Sequence, residues 1–118
     1  MSNEKMMMNK VEVLKALAHP TRLKIIEMLK EGERCVCEIN VLADIEQSNI
    51  SQHLAILRKA DILTSRKDGS KVIYRVKYDE IFQILKILED LISVQLKAQI
   101  DFYKEYKQKQ YSKAIRSA

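Results

Sequence analysis

The stretch Glu33-Arg34-Cys35-Val36-Cys37-Glu38-Ile39 holds both cysteines of the chain, one valine apart. A thiolate is a soft-ion ligand, a nucleophile and a redox centre, so the pair is the residue set best equipped for chemistry. The surrounding pattern reads as helix, and a helix points residues i and i+2 to roughly opposite sides. Metal–sulfur bonds near ~2.3 Å need the two sulfurs close together. If both sulfurs were to hold one ion, the first turn of a helix would have to distort. Taken alone, the pair reads first as two small buried hydrophobes, because free cysteine packs like one. There are only two histidines. His19 stands before Pro20 and suits a helix junction. His53 falls on the flank of a later helix, between core and solvent. With no glycine-rich phosphate loop and no Cys–His or paired-acid arrangement, an enzyme is not expected.

The 118 residues suit one domain, and 47% hydrophobic content allows a core. So small a domain buries a modest share of its surface, which favours a dimer. Two glycines and one proline argue against an all-β fold rich in tight turns. Two cysteines two apart are not a disulfide framework. No leader and no ~20-residue apolar run is visible. These features predict a cytoplasmic, non-membrane protein with free thiols. The net charge is +5, unevenly placed: residues 48–77 carry seven Lys and Arg against two Asp, and residues 104–118 carry five against one Glu. Two basic zones on a mildly acidic body point to an anionic partner, nucleic acid first.

The elements that would position these residues follow from periodicity. Residues 1–9 read as a flexible arm. Val11, Leu14, Leu17 and Ala18 share a helical stripe over 9–18, and Pro20 breaks it and opens the next helix. Leu23, Ile26 and Leu29 lie on one face of that helix, which Gly32 stops. A short helix runs through 36–43. Ser48 is placed as the N-cap of a helix on which Ile50, Leu54, Leu57 and Asp61 face one way, and Ser48, Gln52, Ala55 and Lys59 the other. Asp68-Gly69 between two β-prone runs signals a two-residue hairpin over 62–76. From Asp79 to about 110 a long helix carries two apolar rows, one of which includes Ile84, Ile87, Leu91 and Val94. A second copy of the chain is the simplest cover for the extra row. Residues 111–118 read as a basic tail. The expected fold is mainly α with a small β-hairpin wing: a single winged helix-turn-helix domain, with a core over 10–77 and a dimerisation helix over 79–110.

Four motifs in order, "LKALAHPTRLKIIEML", "CVCEI", "QSNISQHLAILRKADIL" and "RKDGSKVIYRV", resemble those of the ArsR/SmtB family of metal-responsive repressors, from about Val11 to Phe82. The resemblance implies a homodimeric repressor on a double-stranded, inverted-repeat operator, released when an inducer binds. It places Gln47, Ser48, Asn49, Ser51, Gln52 and His53 in the DNA-contacting stretch, with Lys59 beside them, and Arg66, Lys67 and Lys71 on the wing. It implies a dimer interface with Val11 and Leu14 at one end of the chain and Ile84, Ile87, Leu91 and Val94 at the other. It also makes Cys35 and Cys37 thiolate ligands to a soft ion, As(III) or Sb(III) first, with Cd(II) and Pb(II) as alternatives and no organic cofactor.

The chain departs from the family at three points. The position of a third cysteine in some arsenic sensors is Asn40. The N-terminal arm has no cysteine, only Met6, Met7 and Met8. The histidines of the zinc site on the last helix are absent. What remains is a dithiolate with an open third position. Two other readings stand beside it: Cys35 and Cys37 as an oxidant or persulfide sensor on the same fold, and a winged-helix module that binds protein.

Overall fold

The computed structural model describes residues 2–43 and 47–117, with side chains described for 2–41 and 49–117. The element order is α1 (Asn3–Leu17), α2 (Pro20–Met28), β1 (Arg34–Cys35), α3 (Val36–Ala43), α4 (Gln47–Lys59), β2 (Leu63–Asp68), β3 (Lys71–Val76) and α5 (Glu80–Ser117). The chain divides into two compact units, Met1–Ile81 and Phe82–Ala118.

The first unit is a winged helix-turn-helix. Ser2 caps α1 by accepting from the Lys5 amide at 3.1 Å, so the helix starts at Asn3 and residues 3–9 of the expected flexible arm are helical. Pro20 sits in the first turn of α2, where its missing N–H costs no bond. His19 is the N-cap, its Nδ1 accepting from the Thr21 amide at 3.1 Å, which fits the junction role read from sequence. The core gathers Ile25, Ile26, Leu29, Ile39, Ile50, Leu54, Leu57, Ile62 and Leu63, all buried. Ile50, Leu54 and Leu57 are the inward row expected of α4.

That helix opens at Gln47, which puts Ser48 inside its first turn rather than at the cap. Residues 44–46 of the expected turn, and the side chains of Gln47 and Ser48, lie outside the described residues. The helix ends in a Schellman arrangement. The Ile62 amide donates to the Leu57 carbonyl and the Asp61 amide to the Arg58 carbonyl, both at 3.0 Å. Asp61 takes the left-handed conformation (φ 62°) that this ending requires. Its carboxylate then receives Lys77 Nζ at 2.7 Å and the Tyr78 hydroxyl at 3.0 Å, which ties the end of α4 to the end of the wing.

The wing has three strands in the order β1-β3-β2, all antiparallel, where the sequence predicts two. Asp68 pairs with Lys71, so the two-residue turn is Gly69-Ser70, one position beyond the Asp68-Gly69 expected. Of these two turn residues only Gly69 has positive φ (63°), the pattern of a type II′ turn with glycine first. The added strand β1 pairs Arg34 with Tyr74 and Cys35 with Ile73.

The second unit is the body of α5, a helix of 38 residues and so roughly 57 Å long. It continues to Ser117, so residues 111–117 of the expected basic tail are helical. Along it Ile87, Leu91 and Val94 are 67, 51 and 66% exposed. Lys86–Asp90 and Lys97–Asp101 pairs brace its surface at i,i+4 spacing. Among the described residues no helix is long and apolar enough to cross a membrane.

Leu54 is fully buried at the heart of the first unit. Leu54→Ala should cost about 2–5 kcal/mol through lost burial and the cavity left behind, read as a lower urea midpoint at constant slope. A loss below ~1 kcal/mol would mean that α4 is not seated on this core.

Candidate nucleic-acid interface and cysteine pocket

The outward face of α4 carries Asn49, Ser51, Gln52, Ala55 and Lys59, all exposed. They are small, hydrogen-bonding or cationic groups, the set that meets base edges and phosphates. Lys67 and Lys71 stand exposed on the wing.

Two expected DNA contacts are already engaged within the protein. His53 is half-buried; its Nδ1 accepts from Arg22 Nε at 3.2 Å, and its ring lies 4.3 Å from that of His19. Arg22 also donates through Nη1 to the Lys15 and Ala16 carbonyls at 3.2 and 3.3 Å, closing the end of α1. His53 therefore helps to seat α4 on α1 and α2, the other role its flank position allows. Burial pushes its pKa below the usual 6.5, and the charges of His19 and Arg22 add to that.

Arg66 is the second case. Its Nη2 and Nε meet the two carboxylate oxygens of Glu33 at 2.6 and 3.3 Å in a bidentate pair. The bond with Arg66 holds the Glu33 carboxyl below its usual 4.5, and Arg66 is raised in turn by Glu33. Both side chains are about half exposed, so the pair contributes little to stability. Its consequence lies in the wing's charge: one of the expected phosphate-binding cations carries an internal counter-ion. Arg22 and Glu33 are missed by sequence reading, since neither belongs to a local pattern with its partner.

Cys35 and Cys37 are not both helical. Cys35 ends β1 and Cys37 lies in the first turn of α3, so the helical rule that separates i and i+2 does not apply. Their Cα atoms are 5.3 Å apart and the sulfurs are joined as a disulfide. This corrects two expectations: the thiols are not free in this structure, and bringing the sulfurs together needs no unwinding of a helix. Cys35 is buried and Cys37 exposed.

Cys35 is also the N-cap of α3. Its Sγ accepts from the Glu38 amide at 3.3 Å, and Glu38 Oε1 accepts from the Cys35 amide at 3.2 Å. This is a reciprocal capping box with sulfur in place of the usual hydroxyl. The spacing Cys35-x-x-Glu38 is its one trace in the sequence. Arg34 steadies it, donating to the Met28 carbonyl at 2.9 Å and reaching Glu38 at 3.4 Å. In front of the pair is an open pocket of about 530 Å³, walled by Cys35, Val36, Cys37, Asn40, Ser70, Lys71 and Val72. Among the described residues no group of three or more His, Cys, Asp or Glu is placed to hold a metal ion. The donor set fits an ion that accepts two thiolates and takes its remaining ligand from elsewhere.

A three-helix core, an outward row of polar and basic side chains and a basic wing define a winged helix-turn-helix regulator. The family model described as "Bacterial regulatory protein, arsR family" matches residues 19–65. The "Uncharacterized HTH-type transcriptional regulator Rv0081" of Mycobacterium tuberculosis is 36% identical over 95 residues, 79% of this chain and 82% of that protein. Its crystal structure superposes with a TM-score of 0.73 at 32% identity, covering 85% of this chain and 99% of that one. The chain belongs to the ArsR family of bacterial regulatory proteins, whose members are transcriptional regulators and not enzymes. The "Arsenical resistance operon repressor" of Escherichia coli is 45% identical over 67 residues, 56% of this chain and 57% of that one. "Reduced HlyU from Vibrio cholerae N16961" superposes with a TM-score of 0.67 at 35% identity, covering 75% and 93% of the two chains.

Two outcomes test the charge arrangement. Glu33→Gln should raise affinity for duplex DNA and steepen its salt dependence by about one counter-ion, because Arg66 gains a free guanidinium. Equal salt slopes for variant and wild type would keep Arg66 off the phosphates. For His53 the folded value is depressed, so its contribution to stability is full above pH 6.5 and is lost as pH falls toward the folded value. His53→Gln keeps an acceptor for Arg22 and should flatten the decline of the thermal midpoint below pH 6.5. A parallel decline in the variant would assign it to other groups.

Proposed function

We propose that this protein is a homodimeric transcriptional repressor of the cytoplasm that binds an inverted-repeat operator and leaves it when As(III) or Sb(III) binds Cys35 and Cys37. The observation that carries the reading is the position of the cysteine pair: it joins a strand of the wing to the helix that precedes α4. Ser51, Gln52 and Lys59 on α4 would meet the major groove, with Gln47, Ser48 and Asn49 at its start. Lys67 and Lys71 would meet the backbone, with Arg66 held back by its pair with Glu33. The dimer would use the exposed row Ile84, Ile87, Leu91 and Val94 on α5, with Val11 and Leu14 on α1.

Release then has a route. An ion drawing on Cys35 Sγ competes with the Glu38 amide for the same sulfur and so weakens the cap of α3. Cys35 is also the paired end of β1, and a shift there reaches β3 and the wing. The inducer acts only to the extent that it binds the DNA-free form more tightly. Thiolates suit As(III) and Sb(III), and two of them leave a tetrahedral Zn(II) shell half empty. The likeness to the arsenical repressor of E. coli supports this choice of ion.

The closed disulfide favours a second reading, in which the pair senses oxidants. Two thiols would give up two electrons and two protons to a peroxide, forming the Cys35–Cys37 bond and two waters.

One titration separates the readings: anisotropy of a labelled duplex selected by the protein from a random pool, in reduced protein, with As(III), Zn(II) or peroxide. As(III) should release the duplex and Zn(II) should not. Cys35→Ser and Cys37→Ser should each keep duplex binding and lose the response. Release by peroxide alone would install the oxidant reading. Full As(III) release from the double serine variant would remove sensing from the pair.

A further inference from the structure

The cysteine pair accounts for two of the three positions around a trivalent metalloid, and the pocket in front of it bears on the third. Resting on the reading of Cys35 and Cys37 as the inducer site, the exchange balances simply. As(OH)3 and two S–H groups give an arsenic bonded to two sulfurs and one hydroxyl, with two waters released and no change of oxidation state. The bound ion therefore carries one oxygen. The same pocket wall presents Lys71 and Ser70 from the wing turn and Asn40 from α3. Lys71 offers donors only, and Ser70 can donate or accept. Asn40 Oδ1 is buried with no hydrogen-bond partner, the one such side-chain atom among the described residues. A buried acceptor of that kind is costly unless a donor reaches it. Among the described residues no carboxylate, imidazole or third thiol lines the pocket to displace the oxygen.

We propose that Lys71, Ser70 and Asn40 form a subsite for the oxygen on a trivalent metalloid held by Cys35 and Cys37. The site then selects ions that retain a hydroxyl over arsenicals whose third substituent is carbon. Lys71 has a second claim on it, since it is also the wing cation expected to meet a phosphate. The inducer's oxygen and the DNA backbone compete for one ammonium, which makes occupation of the pocket unfavourable to DNA binding without any rearrangement of α3.

The test uses DNA-free, reduced, full-length protein and two probes in calorimetric titrations. Arsenite keeps an As–OH after binding two thiols; phenylarsine oxide presents a phenyl group there instead. Lys71→Met should weaken arsenite about tenfold, the loss of one charge-assisted hydrogen bond, and leave phenylarsine oxide unchanged. Lys71→Arg should recover most of the arsenite affinity, and Asn40→Leu should lower arsenite selectively as Lys71→Met does. Equal effects of Lys71→Met on the two probes, or none on either, would overturn the subsite while leaving the cysteine site standing. Failure of wild type to bind phenylarsine oxide would overturn the cysteine site, and the oxygen subsite with it.

Discussion

Two backbone pairings, Arg34 with Tyr74 and Cys35 with Ile73, draw the segment after α2 into the wing sheet. Much of the functional arrangement depends on them. They hold Cys35 extended, so that the helix can begin at the very next residue. They bring Cys37 round beside Cys35, with 5.3 Å between Cα atoms. They also set the cysteine pocket against the turn of the wing, where Ser70 and Lys71 stand. Without the strand, a helical run through 33–39 would turn the two sulfurs away from each other.

Cys35 consequently has three structural duties: strand end, helix cap and pocket wall. A hydroxyl could serve the first two, since serine is a common N-cap. Only sulfur adds affinity for soft ions and the capacity to form a disulfide. Placing the reactive atom in a hydrogen bond that starts α3 means that chemistry at that atom is felt by the backbone at once. The reciprocal partner, Glu38, is itself held by Arg34, and Arg34 by the carbonyl of Met28. The junction is thus tied to the end of α2 as well as to the wing.

The cations of the chain are not equivalent, although the formal charge of +5 counts them alike. Arg22 is committed to His53 and to the end of α1, Arg34 to the α2 terminus, Arg66 to Glu33 and Lys77 to Asp61. Lys59, Lys67 and Lys71 have no ion pair among the described residues. The basic zone thus divides into cations that organise the fold and cations facing outward from the helix and the wing. Acceptors within the fold decide this division: carbonyls and an imidazole hold Arg22 and Arg34, and a bidentate pair with a 2.6 Å bond holds a guanidinium, Arg66, that composition alone would assign to DNA.

The local elements were legible in the chain itself. The spacing of Ile50, Leu54 and Leu57 set the buried face of α4 and, by exclusion, the exposed row with Gln52 and Lys59. His19-Pro20 marked a helix junction because proline constrains both itself and the residue before it. Glycine and β-prone runs placed the wing to within one residue. These features depend on neighbours a few positions away, so periodicity and turn chemistry expose them. What sequence pattern could not supply was contact at long range. Strand β1 is two residues long, too short to show an alternation, and exists only through its partner β3. Arg66 meets Glu33 across 33 positions, and His53 meets Arg22 across 31. The cysteine geometry followed the same rule: the residue types named the chemistry, but the strand pairing, a tertiary event, decided that the two sulfurs could meet.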